Sequence, residues 1–131
     1  MKKSSKEDLS VEIQFLECLR ERLPGETEVL RVLADDYTKV GRWKEGLDAD
    51  LELTRLNPND PLVHYNLACS YSLLERLKES AQALARAIRL GYREWDRLQK
   101  DPDLKNLRKS PEFVLISTLI ESQPSQKEPT L

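Results

Sequence analysis

The chain has 131 residues, 39% hydrophobic and 34% charged, which is enough apolar side chain for one modest core and a composition of the soluble, helix-rich kind. Its 21 basic and 23 acidic residues leave a net charge of -2, excluding a molecule built as a whole to attract nucleic acid or an anionic membrane. No apolar run approaches the length of a membrane span, and the first residues lack the apolar stretch of a secretory signal, so the expected compartment is the cytoplasm.

A spacing of 34 residues organises the chain. Setting 27–60 over 61–94 without a gap pairs Leu33 with Leu67, Ala34 with Ala68, Tyr37 with Tyr71, Glu45 with Glu79, Ala49 with Ala83 and Leu56 with Leu90; Trp43 then meets Leu77 and Gly46 meets Ser80. In chain order, residues 1–5 are expected to be disordered. Residues 6–23 predict a helix whose Leu9, Ile13 and Leu19 fall one spacing before Trp43, Leu47 and Leu53, so it reads as a lone second helix capping one end of a stack. Unit one, 27–60, is a pair of amphipathic helices with Leu30, Leu33, Ala34 and Tyr37 on the first and Leu47, Leu51, Leu53 and Leu56 on the second, separated at Gly41. The run Asn57-Pro58-Asn59-Asp60-Pro61 ends that pair, since proline lacks an N–H and disfavours helix in the residue before it.

Unit two, 61–94, repeats the pattern with Glu75 in the place of Gly41 and Tyr92 in the place of Pro58. Small residues at Ala34, Gly46, Ala68 and Ser80 mark where the helices of each pair cross closely. After Gly91-Tyr92 the register fails. Residues 95–120 hold a short segment with Trp95 and Leu98, a break at Asp101-Pro102, then Leu104, Leu107 and a helix from Phe113 to Ile120 that starts at Ser110-Pro111-Glu112. This segment would cover the apolar face that unit two leaves open, and the polar, proline-broken 121–131 is expected to be a disordered tail.

Catalytic and cofactor chemistry has little to draw on. Gly41 and Gly46 do not make a phosphate loop, because Leu47-Asp48 stand where Lys-Ser/Thr is needed. His64 is the one histidine and is read as a packing residue; Cys18 and Cys69 are too far apart in sequence for a redox pair and are expected to be reduced and at least partly buried. Adjacent helical residues point about 100° apart, so Asp35 and Asp36 do not converge as an acid/base pair and read as one outer and one inner charge. Trp43 and Trp95 are read as packing residues. No enzyme activity, cofactor or metal is expected.

Charge is unevenly spread: residues 1–75 carry 10 Lys+Arg and 15 Asp+Glu, whereas 76–109 carry 10 and 5. Such polarity suits head-to-tail self-association or an acidic ligand on the second half, although charge at this density ordinarily only solvates outer faces. Arg86, Arg89, Arg93, Arg97 and Lys100 have helical spacing, which gives the alternative reading of a regulatory or RNA-associated subunit using the basic second half.

The residues Leu30, Leu33, Ala34, Tyr37, Gly46, Asp50 and Pro58, then His64, Leu67, Ala68, Tyr71, Ser80, Leu84 and Tyr92, resemble the tetratricopeptide repeat (TPR) pattern over about 7–120. Asp50, Glu75 and Tyr92 depart from it. The closing segment, with Trp95, Asp101-Pro102, Leu104, Leu107 and Pro111-Glu112-Phe113, resembles the degenerate last unit of many bacterial TPR arrays. The resemblance implies an all-α fold of helical hairpins stacked as a short right-handed α-solenoid, and a non-enzymatic scaffold or adaptor that takes a peptide or partner helix in its concave groove. Carried over residue by residue, that groove is lined by Glu28, Arg31, Asp35, Thr38 and Lys39 from unit one and by Leu62, Tyr65, Asn66, Cys69 and Leu73 from unit two. Asn66 stands where peptide-binding TPRs often keep an asparagine that pairs with a ligand's backbone; read by itself it is equally an ordinary surface amide. The clamp for a terminal carboxylate is incomplete, since Arg31 supplies one charge while Asp35 and Cys69 spoil the rest. Another protein or peptide is thus the expected partner, with self-association left open and nucleic acid and membrane disfavoured.

Overall fold

Two starts and three ends among the helical segments have an evident local cause. The computed structural model describes residues 6–124, so the segment 1–5 and residues 125–131 of the expected tail lie outside the described residues. Within that range the structure is all helical: α1 (Lys6–Arg22), α2 (Thr27–Lys39), α3 (Trp43–Leu56), α4 (Pro61–Leu73), α5 (Leu77–Arg89), α6 (Trp95–Lys100), a 3-10 turn (Pro102–Leu104), α7 (Lys105–Arg108) and α8 (Phe113–Glu121). Helices α2 and α4 begin 34 residues apart, and so do α3 and α5. The last helix takes in Glu121, where the sequence reading begins the tail, and Ser122 and Gln123 still donate backbone bonds to its final carbonyls.

Asp60 and Asp101 do the same work at two starts. Each precedes a proline, and each offers one carboxylate oxygen to a backbone N–H two residues on, Leu62 N at 3.0 Å and Asp103 N at 3.0 Å. Three helix ends are also alike. Arg42 N donates to Tyr37 O at 2.8 Å, Arg76 N to Tyr71 O at 2.9 Å and Tyr92 N to Ala87 O at 2.9 Å, the six-to-one bond of a Schellman end. That end needs a left-handed residue, which is Gly41 (φ 84°) in the first case and Glu75 (φ 59°) in the second. Glu75 therefore keeps the turn at the cost of a strained backbone rather than abolishing it.

Consecutive helices pack on one another from α1 through α5; the 3-10 turn and α7 then lie on α4, and α7 and α8 on α5. The small residues sit at the crossings. A Cβ on Gly46 would stand 3.2 Å from Thr38 Oγ1 and 3.6 Å from Ala34 O, and Ser80 Oγ donates to Ala68 O at 2.7 Å. Polar contacts repeat at the same spacing: the Arg42 guanidinium lies 4.8 Å over the Tyr37 ring and pairs with Glu45 at 2.5 Å, as Arg76 lies 5.0 Å over Tyr71 and pairs with Glu79 at 2.9 Å.

Among the described residues the buried apolar side chains fall into three clusters. The largest runs from Tyr65, Leu67 and Ala68 through Leu84, Ile88 and Tyr92 to Leu98, Leu104, Leu107 and Ile116, so the closing segment shares the core of α4 and α5. Ile13, Leu16, Val29, Leu33 and Tyr37 form a second, which docks α1, and Leu30, Ala34, Ala49, Leu53 and Val63 a third. Trp95 packs against the largest cluster, but Trp43 corrects the expectation of packing: it is 38% exposed and belongs to none of the three, being the first residue of α3. Cys18 is likewise exposed rather than partly buried, whereas Cys69 is buried; both are free thiols.

Candidate functional site

A polar hollow lies between the first helices of the two hairpins. Its volume is about 150 Å³, room for roughly five waters at ~30 Å³ each, so it accepts a side-chain head group and not a helix. Helical spacing brings one wall: Arg31, Ala34, Asp35 and Thr38 recur at three- and four-residue steps along α2. Asn66, Cys69 and Ser70 of α4 face them, Asp50 and Leu53 of α3 lie between, and Arg97, Asp101 and Asp103 of the closing segment complete the rim.

Five of the ten sequence-predicted groove residues, Arg31, Asp35, Thr38, Asn66 and Cys69, come together here. Glu28 and Lys39 stand outside it on α2, where Glu28 lies 3.6 Å from Arg31 and Lys39 lies 2.9 Å from Asp35. Leu62 packs against the large core, and Leu73 is half-buried away from the hollow. Tyr65 is the clear correction. It is 0% exposed, because Tyr92 stacks on it at 4.4 Å between ring centroids and the Arg97 guanidinium covers it at 5.0 Å. The closing segment covers the open apolar face of unit two, as expected, and its cover extends to Tyr65, which the sequence reading assigned to the groove.

Asp101 is the hub of that cover. Its Oδ2 accepts from Tyr65 Oη at 2.7 Å and lies 3.7 Å from Arg97 Nε and 3.8 Å from Cys69 Sγ, while its backbone carbonyl accepts from Arg108 at 2.8 Å. Burial, followed by the Asp101 charge, pushes the Cys69 thiol well above its usual range, so it is a poor nucleophile. Asp103 is raised by burial first and by Asp101 second. At the other wall Arg31 is committed to Asp60 at 2.9 Å, outside the hollow.

Asp50 is the unusual member. It is 4% exposed and accepts from Ser70 Oγ at 2.5 Å; burial lifts its carboxyl to about 7, partly offset by that hydroxyl. Its neighbour in type, Asp36, is also buried but faces α1, where burial and then a hydrogen bond with Glu12 push it upward, leaving Asp35 as the outer charge of the adjacent pair. Sequence reasoning marked Asp50 only as a departure, Arg97 only as part of a basic series and Asp101 only as a helix break, and did not single out Ser70 or Asp103. The repeated Asp-Pro step, 60–61 and 101–102, is the signal that could have placed Asp101.

The other singled-out residues sit elsewhere. His64 Nε2 lies 2.8 Å from Pro58 O. Within the basic series, Arg86, Arg89, Arg97 and Lys100 are exposed, while Arg93 donates to Ile88 O, Tyr92 O and Gln123 Oε1; the series is divided between α5, which ends at Arg89, and α6, which begins at Trp95, so the five do not lie along one helix. Among the described residues no helix is long and apolar enough to cross a membrane.

No family model matches the chain. It is similar to a curated chloroplastic protein of Arabidopsis thaliana, with 34% identity over 80 residues, 59% of this chain. The match covers 24% of that protein, so the chain spans about a quarter of the relative's length.

Proposed function

We propose that the protein is a non-enzymatic interaction module, a TPR-like scaffold or adaptor whose hairpins stack as a short right-handed α-solenoid and hold an extended segment of another protein between α2 and α4. The hollow lined by both first helices carries the reading: it is polar, open on one side, and bordered by Asn66, whose side-chain amide has no hydrogen-bond partner among the described residues and so keeps a donor and an acceptor for a ligand backbone. Support for the TPR kinship comes from helix starts 34 residues apart, three alike Schellman ends and the repeated Tyr–Arg–Glu contact. The cytoplasm is the compartment we take it to work in, and the step from repeat to protein binding is one of analogy.

Affinity purification from the source lysate, with wild-type protein beside an Arg31→Ala/Asn66→Ala variant and sizing of both beforehand, tests the groove. A specific protein retained by the wild type and lost from the variant is the expected result. Binding that survives the double substitution moves the contact surface off the groove, and recovery of nucleic acid alone replaces the reading with that of an RNA-associated subunit.

A further inference from the structure

The charges around the hollow do not cancel. Four aspartates line it, Asp35, Asp50, Asp101 and Asp103, against two arginines. Both arginines already have carboxylates: Arg31 has Asp60 and Glu28, and Arg97 has Asp101. Asp35 has Lys39, an exposed lysine one turn further along α2. Asp50 and Asp103 have no cation within 4 Å among the described residues.

Asp50 makes the imbalance specific. It is more than nine-tenths buried and lines the hollow, and while Oδ2 takes the Ser70 hydroxyl, no donor reaches Oδ1 among the described residues. Asp50 Oδ1 is not among the buried polar atoms left without a partner, so it opens onto the hollow, where a cation with N–H donors can supply both a charge and a hydrogen bond. The site suits an extended cation rather than a bare one. Among the described residues no three His, Cys, Asp or Glu side chains stand close enough together to hold a metal ion. A terminal carboxylate would meet four aspartates and no uncommitted arginine.

We propose that this hollow is a subsite for a cationic side chain, a lysine or arginine of the partner's extended segment, received by Asp50 and Asp103 while Asn66 holds the neighbouring backbone. The subsite rests on the groove reading above. Arginine fits best, because its planar fork offers several donors at once to carboxylates that approach from different helices. Burial raises Asp50 to about 7, so near neutral pH it is only partly charged in the free protein, and a cation that binds its carboxylate displaces the remaining proton.

The test selects binders from a random peptide library displayed on phage against the full chain. The best binder is remade with its arginine replaced by citrulline, or its lysine by acetyl-lysine, each a neutral isostere. The expected result is a selected cation whose neutral replacement weakens binding by about ten-fold or more. Its titration shifts the backbone amides of Asp50, Asn66 and Asp103, and Asp50→Asn/Asp103→Asn loses the same factor while binding the neutral peptide as the wild type does. Peptides that bind at Asn66 yet lose less than about two-fold on neutralisation, or that are selected for a C-terminal carboxylate, overturn the cation subsite and leave the groove reading standing. Failure to select any peptide that shifts Asn66 overturns both.

Discussion

Asp50 in the first hairpin and Leu84 in the second occupy the same slot, 34 residues apart, in the middle of the second helix. Leu84 is 0% exposed and belongs to the largest apolar cluster; Asp50 is almost as deeply buried and touches Ser70 instead. One backbone arrangement thus accommodates opposite chemistries. The difference lies in what covers the slot: the closing segment adds Leu98, Leu104 and Leu107 to the core around Leu84, whereas the hollow between α2 and α4 reaches Asp50. A residue that breaks the local rule without an apolar gain marks the position where stability has been given up for a surface feature.

Substitutions at the two slots should break this comparison unequally. Leu84→Asp buries an unpaired charge in a fully apolar cluster and should cost on the order of 5 kcal/mol at neutral pH, read as loss of the cooperative urea transition. Leu84→Ala should cost about 2–5 kcal/mol by the same measurement.

Asp50→Asn should act in the opposite direction. Because the folded-state pKa of Asp50 is raised to about 7 from an ordinary 3.8, its neutral form is the one the fold tolerates. The wild-type side chain therefore weighs least on stability below about pH 4, and its cost grows between about pH 4 and pH 7 and levels off above that. Unfolding free energies should nearly match at pH 3 and favour the variant by on the order of 4 kcal/mol at pH 8. Asp36 carries a shift of the same sign and remains in both proteins, so the variant keeps a reduced pH slope rather than none.

Smaller effects sharpen the likeness of the hairpins. Ser80→Ala removes the hydroxyl bond to Ala68 O at the second crossing and should cost about 1–2 kcal/mol in thermal unfolding. Glu75→Gly relieves the left-handed backbone that Gly41 adopts without strain in the first hairpin; a gain of about 0.5–1 kcal/mol is expected, and a loss would mean that Glu75 makes a contact worth more than its strain.

Helix placement was legible because proline, glycine and apolar period act locally: Pro61 opens α4, Gly41 ends α2, and Ala34, Gly46, Ala68 and Ser80 fall at the crossings. Half of the groove was legible for the same reason, since Arg31, Asp35 and Thr38 lie on one face of one helix. Tyr65 was misplaced because its burial depends on Tyr92, an aromatic ring where unit one has Pro58, and on Arg97, from the segment where the 34-residue register has ended. Trp43 was misplaced because alignment with Leu77 and Leu9 gives a position along the chain and not the neighbours that would cover it.

Packing between chain neighbours also sets how the molecule comes apart. Contacts that span few residues close small loops, so folding should be fast for this length, and opening should proceed from an end rather than all at once. The ends are unequal. Helix α1 is held by the modest cluster around Ile13 and Leu16, while α4 and α5 lie inside the large one and are tied onward through Ser72 to Leu107. Amide protons of α1 should exchange with solvent well before those of α4 and α5, which would leave the wall formed by α2 more pliant than the wall formed by α4 and let the hollow widen from one side.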